Sequence, residues 1–247
     1  MGKVLRRYPR LSSTNDYAQQ LIIKESPAEG TIVLTEYQES GRGQRNNRWE
    51  SASGKNLTFT VILYPRFVHP AKQFSLNQLA SLAVRDTVSH FTDQHTLVKW
   101  PNDVMLQRKK VCGILIQSAL QGMAIQYSLL GIGLNVNQAN FPADLPTAIS
   151  MRLAAQQYFD RKHVLSHLCQ QLEFYYLMLR RGQDTLLHQS YLDHLYLFQQ
   201  PAIYQRSGGN TFTGRISGIS PEGKLIIQHS EGSEEFDQKT VSLVHPL

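Results

Sequence analysis

Residues 31–38 (TIVLTEYQ) and 56–64 (NLTFTVILY) bracket the segment Gly41-Arg42-Gly43-Gln44-Arg45-Asn46-Asn47-Arg48-Trp49, and this arrangement constrains the chain more than any other feature. β-Branched and aromatic residues on both sides predict strands. Two glycines, three arginines and a closing tryptophan between them make a pliable, cationic loop anchored at both ends. Arginine donates forked, charge-assisted hydrogen bonds to carboxylates and phosphates, and glycine lets a ligand approach the backbone closely. Such a loop suits an anion that carries a ring.

The rest of the pattern is mixed. A short strand over 4–8 leads to Ser12-Ser13-Thr14-Asn15, residue types preferred at helix N-caps. DYAQQLII follows, with Tyr17, Leu21 and Ile22 at helical spacing. Ser75-x-x-Gln78 predicts a capping box ahead of a helix whose inner face carries Leu76, Leu79, Ala80, Ala83, Val84, Val88 and Phe91. LVKWPNDVML, VCGILIQSAL and YSLLGIGLNVN read as strands of an antiparallel meander. A stripe from Val164 to Leu179 predicts a helix over 161–180, with further helix over 188–195. From about Phe198, short alternating runs separated by SGGN and SPEG predict a small β-barrel. The expected fold class is α+β in two domains, 1–197 and 198–247.

Composition narrows the function classes. The formal charge of +6 and pI near 9.3 would fit a nucleic-acid partner. Outside the loop and Arg108-Lys109-Lys110, however, the basic residues are scattered singly or in pairs. No run approaches the ~20 apolar residues of a membrane helix, and the N-terminus has no signal-peptide pattern. Two cysteines, Cys112 and Cys169, exclude a disulfide scaffold and a cysteine-rich zinc site, which makes a reducing cytoplasm the expected location.

Four polar clusters interrupt the regular pattern: Ser12 to Asn15, Gln38 to Trp49, Lys99 to Asp103 with Lys110, and Gly131 to Asn137. Lys99-Trp100-Pro101-Asn102-Asp103 puts a cation, an amide and a carboxylate at a strand end, and Asp103 could hold a magnesium ion. Lys110 could place a fixed positive charge against a developing phosphate charge. Glycines alternating through the strand at Gly131 and Gly133 mark close approach of another group. No P-loop, HExxH or GxSxG motif occurs, and Cys112 reads as a small buried hydrophobe.

Taken in order, STN, EYQESGRGxxxxxxW, KWPND, KxxGIL and GIGLNVN resemble biotin protein ligases, over roughly the first 190 residues. The resemblance implies a class II aminoacyl-tRNA synthetase-like domain: a central mixed, largely antiparallel sheet with helices on one side, followed by a small SH3-like barrel. It implies that Ser13, Thr14, Asn15 and Gln38 bind the biotin ureido ring, and that Gly41, Arg42, Gly43 and Gln44 form the closing loop. Arg42 would meet the biotin carboxylate and the phosphate. Arg45, Arg48, Trp49 and Asn135 would bind the adenylate, with Trp49 stacked on adenine. Asn102 and Asp103 would lie near the triphosphate and Mg2+, Lys110 at the reacting carboxylate and α-phosphate, and Gly113 and Gly131 in the cavity walls. The implied substrates are biotin and ATP. The implied partner is a biotin carboxyl carrier domain of a biotin-dependent carboxylase, served by a monomer or homodimer without a membrane partner.

Two departures from the family pattern stand out. Gln44 occupies a place where many relatives have a second basic residue, which predicts looser retention of the adenylate; equal release rates from wild type and Gln44→Arg would count against this. The STN motif begins at residue 13, so the winged-helix domain of some bacterial relatives is not expected, nor is DNA binding. A lipoate or octanoyl ligase or transferase is the nearest alternative, but its RRxxGGGxVxxD pattern is absent. A non-catalytic nucleic-acid binder using Trp49 for stacking is the alternative from another class.

Overall fold

A computed structural model of the chain describes residues 1–44 and 47–246. Its first part is built from β1 (Leu5–Tyr8), α1 (Thr14–Glu25), β2 (Ile32–Thr35), β3 (Leu57–Leu63), α2 (Phe74–Thr92), β4 (Thr96–Lys99), β5 (Asp103–Leu106), β6 (Lys109–Gln121), β7 (Ala124–Leu134), α3 (Met151–Ala155), α4 (Arg161–Arg180) and α5 (Asp184–Asp193). The seven strands form one sheet in the order β1-β2-β3-β7-β6-β5-β4, in which β1 and β2 are parallel and every other pair is antiparallel.

Alternation along the strands decides which face each helix covers. Leu57, Phe59, Val61 and Leu63 of β3 join the main core with α2 and α4, while Ile62 packs with Val33, Leu129 and with Ala18 and Leu21 of α1. The expectation of helices on one side therefore holds for α2 to α5 but not for α1, which lies on the opposite face. β2 and β3 are buried at every position because both of their faces are covered.

Two local expectations are corrected. The capping box at Ser75 and Gln78 does not form, because the turn at Pro70 to Lys72 already holds Gln73 in helical geometry and leaves no extended residue to cap. Ser75 Oγ instead donates to the Lys72 carbonyl at 2.9 Å, and Gln78 Nε2 meets His188 Nδ1 at 2.9 Å. LVKWPNDVML is two strands rather than one. Pro101 cannot donate to a ladder, and the chain reverses there between β4 and β5. Helix α3 and strand β8 were not anticipated.

β8 (Pro201–Arg206), β9 (Thr211–Ile219), β10 (Leu225–His229), β11 (Gly232–Phe236) and β12 (Val241–Pro246) make a second, antiparallel sheet in the order β11-β10-β9-β8-β12. Between the two sheets the chain runs beside β4, with Val98 N donating to the His194 carbonyl and Tyr196 N to the Val98 carbonyl. Phe198 then bridges to Ile216 of β9. No helix among the described residues is long and apolar enough to cross a membrane.

Candidate functional site

The α1 face of the large sheet carries a floor stripped of side chains. Across β3, β7 and β6, one row is Thr60, Gly131 and Leu115, and the next is Thr58, Gly133 and Gly113. A Cβ at Gly131 would stand 2.5 Å from Asn15 Oδ1, and one at Gly113 would stand 3.0 Å from Trp49 Cζ3; at Gly133 it would fall inside the Trp49 indole. Glycine is required because Asn15 lies over the first row and Trp49 over the second.

α1 begins at this floor because Ser13 caps it, its side chain accepting from Asp16 N at 3.4 Å. That places Thr14 and Asn15 in a buried chain of neutral hydrogen bonds. Gln38 Oε1 accepts from Thr14 N at 2.8 Å and lies 3.1 Å from Thr14 Oγ1. Thr60 Oγ1 lies 2.8 Å from Thr14 Oγ1 and donates to Asn15 Oδ1 at 2.6 Å. Asn15 Nδ2 donates to Gln117 Oε1 at 2.8 Å.

The arginine segment folds back on itself. Trp49 N donates to the Gly41 carbonyl at 2.9 Å, and Gly43 N to the Asn47 carbonyl at 2.6 Å. Arg42 Nη2 pairs with Asp16 Oδ2 at 2.7 Å, a half-exposed contact of the kind that contributes about 0–1 kcal/mol. The Trp49 ring N–H is buried without a hydrogen-bond partner among the described residues, and Lys110 Nζ sits 5.7 Å from the ring centre.

The 99–103 turn supplies the third wall. Asn102 Nδ2 donates to the Ile114 carbonyl at 2.8 Å and its own carbonyl accepts from Ile114 N, which pins the turn to β6. Lys110 Nζ lies 2.7 Å from Asp103 Oδ1. The approach is off the hydrogen-bonding direction, so it is an ion pair that leaves this buried oxygen without a hydrogen-bond donor. Burial pushes the Cys112 thiol well up from its ordinary value, in keeping with an inert core cysteine.

These walls enclose a cavity of about 550 Å³. Ser13, Thr14, Asn15, Gln38, Arg42, Gly43, Gln44, Arg48, Trp49, Asn102, Asp103, Lys110, Gly113 and Gly131 all line it, as the sequence led one to expect. Gly41 and Asn135 do not. Gly41 is buried beneath Gln38 and the Trp49 backbone. Asn135 is turned into the core, where its Nδ2 donates to the Ile149 carbonyl at 3.2 Å while Oδ1 has no partner among the described residues. Arg45 lies outside the described residues. Sequence reasoning missed Thr58 and the wall formed by the connecting segment at Tyr196 and by Tyr204, Ile216 and Leu243 of the small sheet, and Thr60 of the buried network. The alternating threonines of β3 were a signal for two of these. Burial pushes the Tyr204 phenol up to about 12, and its hydroxyl has no partner among the described residues.

Comparison with known proteins adds the decisive observation. Residues 8–135 match the model of the biotin/lipoate A/B protein ligase family. The bifunctional ligase/repressor BirA of Bacillus subtilis (strain 168) is 31% identical across 98% of this chain and 75% of its own length. The chain belongs to the biotin/lipoate A/B protein ligase family. A biotin--[acetyl-CoA-carboxylase] ligase of Paracoccus denitrificans is 28% identical over 91% of this chain and 94% of that protein. The fold matches biotin protein ligase from Aquifex aeolicus, solved with biotin and ATP, at a TM-score of 0.82 and 24% identity, covering 98% of this chain and 99% of that one. The family segment holds β2 to β7, so it contains the glycine floor, the arginine segment and the Asp103–Lys110 pair.

Proposed function

We propose that the protein is an ATP-dependent biotin protein ligase that forms biotinyl-5'-AMP and transfers biotin to a lysine of a carboxylase carrier domain. One observation carries this reading: a single cavity joins a neutral amide and hydroxyl network to a glycine floor and a cationic centre. The ureido ring of biotin has one carbonyl and two N–H groups, which the Gln38, Thr14 and Asn15 network can satisfy without a charge. The apolar rest of the ring system lies against the floor at Gly131.

The carboxylate then reaches Lys110 and Arg42. One of its oxygens attacks the α-phosphorus of ATP, the bond to the bridging oxygen breaks, and pyrophosphate leaves. Lys110 neutralises charge on the reacting groups, and Arg42 exchanges Asp16 for the acyl phosphate as the loop closes. Closure excludes water from the mixed anhydride. The acceptor lysine, after losing a proton to solvent, attacks the acyl carbon; AMP departs and a second proton leaves the new amide nitrogen.

Asp103 is the one carboxylate lining the cavity among the described residues, and no group of three or more His, Cys, Asp or Glu there could hold a metal. That donor set fits Mg2+ arriving on the triphosphate with phosphate and water as its other ligands. The ion would offset phosphate charge, with Asp103 as its protein oxygen. We also place a domain division at 197, between the last hydrogen bond to the large sheet, at Tyr196, and the bridge of Phe198 to the small one.

The test is pyrophosphate exchange into ATP. The reading expects exchange with biotin and none with lipoate; exchange with lipoate alone would overturn it.

A further inference from the structure

A directed contact joins the 220–224 turn of the small sheet to the turn between β4 and β5. Trp100 Nε1, in the turn between β4 and β5, donates to the Gly223 carbonyl at 2.9 Å across 123 residues of sequence. Gly223 is well held. Its N–H donates to the Ser220 carbonyl at 2.9 Å, Ser220 N donates to the Lys224 carbonyl at 2.9 Å, and Ser220 Oγ bonds Glu222 at 2.8 Å. Its φ of +93° lies in the left-handed region, and a Cβ there would come within 2.5 Å of the Phe74 ring. Phe74, at the start of α2, packs edge-on against the fully buried Tyr191, with ring centres 5.8 Å apart. The acceptor carbonyl is thus fixed against the main core.

On its other side the same turn is tied to β6 through both bonds between Asn102 and Ile114, and it delivers Asp103 to Lys110. The turn has two supports, one from each sheet. The biotin end of the cavity rests on α1, β3, β6 and β7, so it shares the β6 support but not the one from the 220–224 turn.

We infer that the 220–224 turn of the small sheet is a strut. Through the hydrogen bond from Trp100 to Gly223, it sets the 99–103 turn for the nucleotide and leaves biotin binding to the large sheet alone. Trp100 and Gly223 are positioning residues in this arrangement. The inference rests on the proposed function in one respect, that the triphosphate lies against the 99–103 turn.

Trp100→Phe removes the donor and keeps most of the ring, and Gly223→Ala displaces the acceptor. Calorimetry on the full chain, with biotin alone and then with ATP added to the biotin-loaded protein, separates the two half-sites. Each variant is expected to weaken ATP binding about tenfold, the loss of one partly buried hydrogen bond, with the biotin dissociation constant held within about twofold. The double variant is expected to be no weaker than the worse single one, because both act through one link. Three results overturn the strut: unchanged ATP affinity in Trp100→Phe, equal loss of biotin and ATP affinity, or losses that multiply in the double variant. Absence of biotin-dependent exchange in wild type would refute the functional reading instead, and the ATP dissociation constants would still decide the strut.

Discussion

Thr60→Val removes one oxygen from the middle of the buried network while conserving shape. Thr60 is fully buried, and its single proton goes to Asn15 Oδ1 at 2.6 Å, so its 2.8 Å contact with Thr14 Oγ1 needs Thr14 as donor. Valine loses both bonds and leaves Asn15 Oδ1 buried without a donor. At about 0.5–1.5 kcal/mol for each bond, folding stability should fall by about 1–3 kcal/mol. Asn15 and Thr14 are then free to rotate away from the ligand, and a loss of about 1.4 kcal/mol of binding would raise the biotin dissociation constant about tenfold. Urea unfolding measures the first quantity and calorimetry with biotin the second. Thr58, two residues along the same strand face, makes no side-chain hydrogen bond among the described residues, so Thr58→Val is the stability control and should stay within about 0.5 kcal/mol. Wild-type stability together with an unchanged biotin dissociation constant in Thr60→Val would refute the reasoning.

Lys110→Gln should lower the rate of biotin-dependent exchange by about 10²–10³-fold, the usual effect of removing a charge aimed at a transition state. Because the pair with Asp103 is partly exposed, its melting temperature should barely move; a rate within about threefold of wild type would remove Lys110 from the chemistry. Gly133→Ala drives a Cβ into the Trp49 indole, and is expected to shift the tryptophan emission and weaken ATP binding more than biotin binding, as titration of each ligand would reveal. His167 and His188 are held below their ordinary value of 6.5 by burial, His167 also by the neighbouring His90. The folded chain therefore binds fewer protons than the unfolded one. Stability is complete above 6.5 and is lost as the pH falls through that value towards the depressed ones, so melting at about pH 5 should come about 2–4 °C below melting at about pH 7.5. Equal midpoints would contradict the burial of these rings.

How much of this was legible depended on the range of the interaction. The 161–180 stripe became α4 with those bounds because helical periodicity is local, and its apolar positions are the buried ones. The floor was half legible: Gly131 and Gly133 announced that something sits close, but only the register that sets Gly133 beside Gly113 and Thr58 says that it is Trp49. Thr60 escaped notice because its partners, Thr14 and Asn15, come from a helix about 45 residues earlier. The position of α1 follows from β3. A strand such as β3, buried at all of its positions, has both faces covered, and helices on one side cannot do that. Asn135 stays out of the cavity lining for the opposite reason: its motif sits at the end of β7, where the chain leaves the sheet and turns the amide inward to Ile149. The wall from Tyr196 and Tyr204 depends on how two sheets meet, and no local pattern carries that.

The most direct measurement is a single turnover. Protein mixed with biotin and ATP labelled in the α-phosphate, then freed of unbound nucleotide, should retain labelled biotinyl-5'-AMP at about one per chain. Adding a carrier domain from a biotin-dependent carboxylase should release labelled AMP and leave one biotinyl group on one lysine, read by mass spectrometry. Retained ATP without adenylate, or adenylate that the carrier domain cannot discharge, would contradict the assignment.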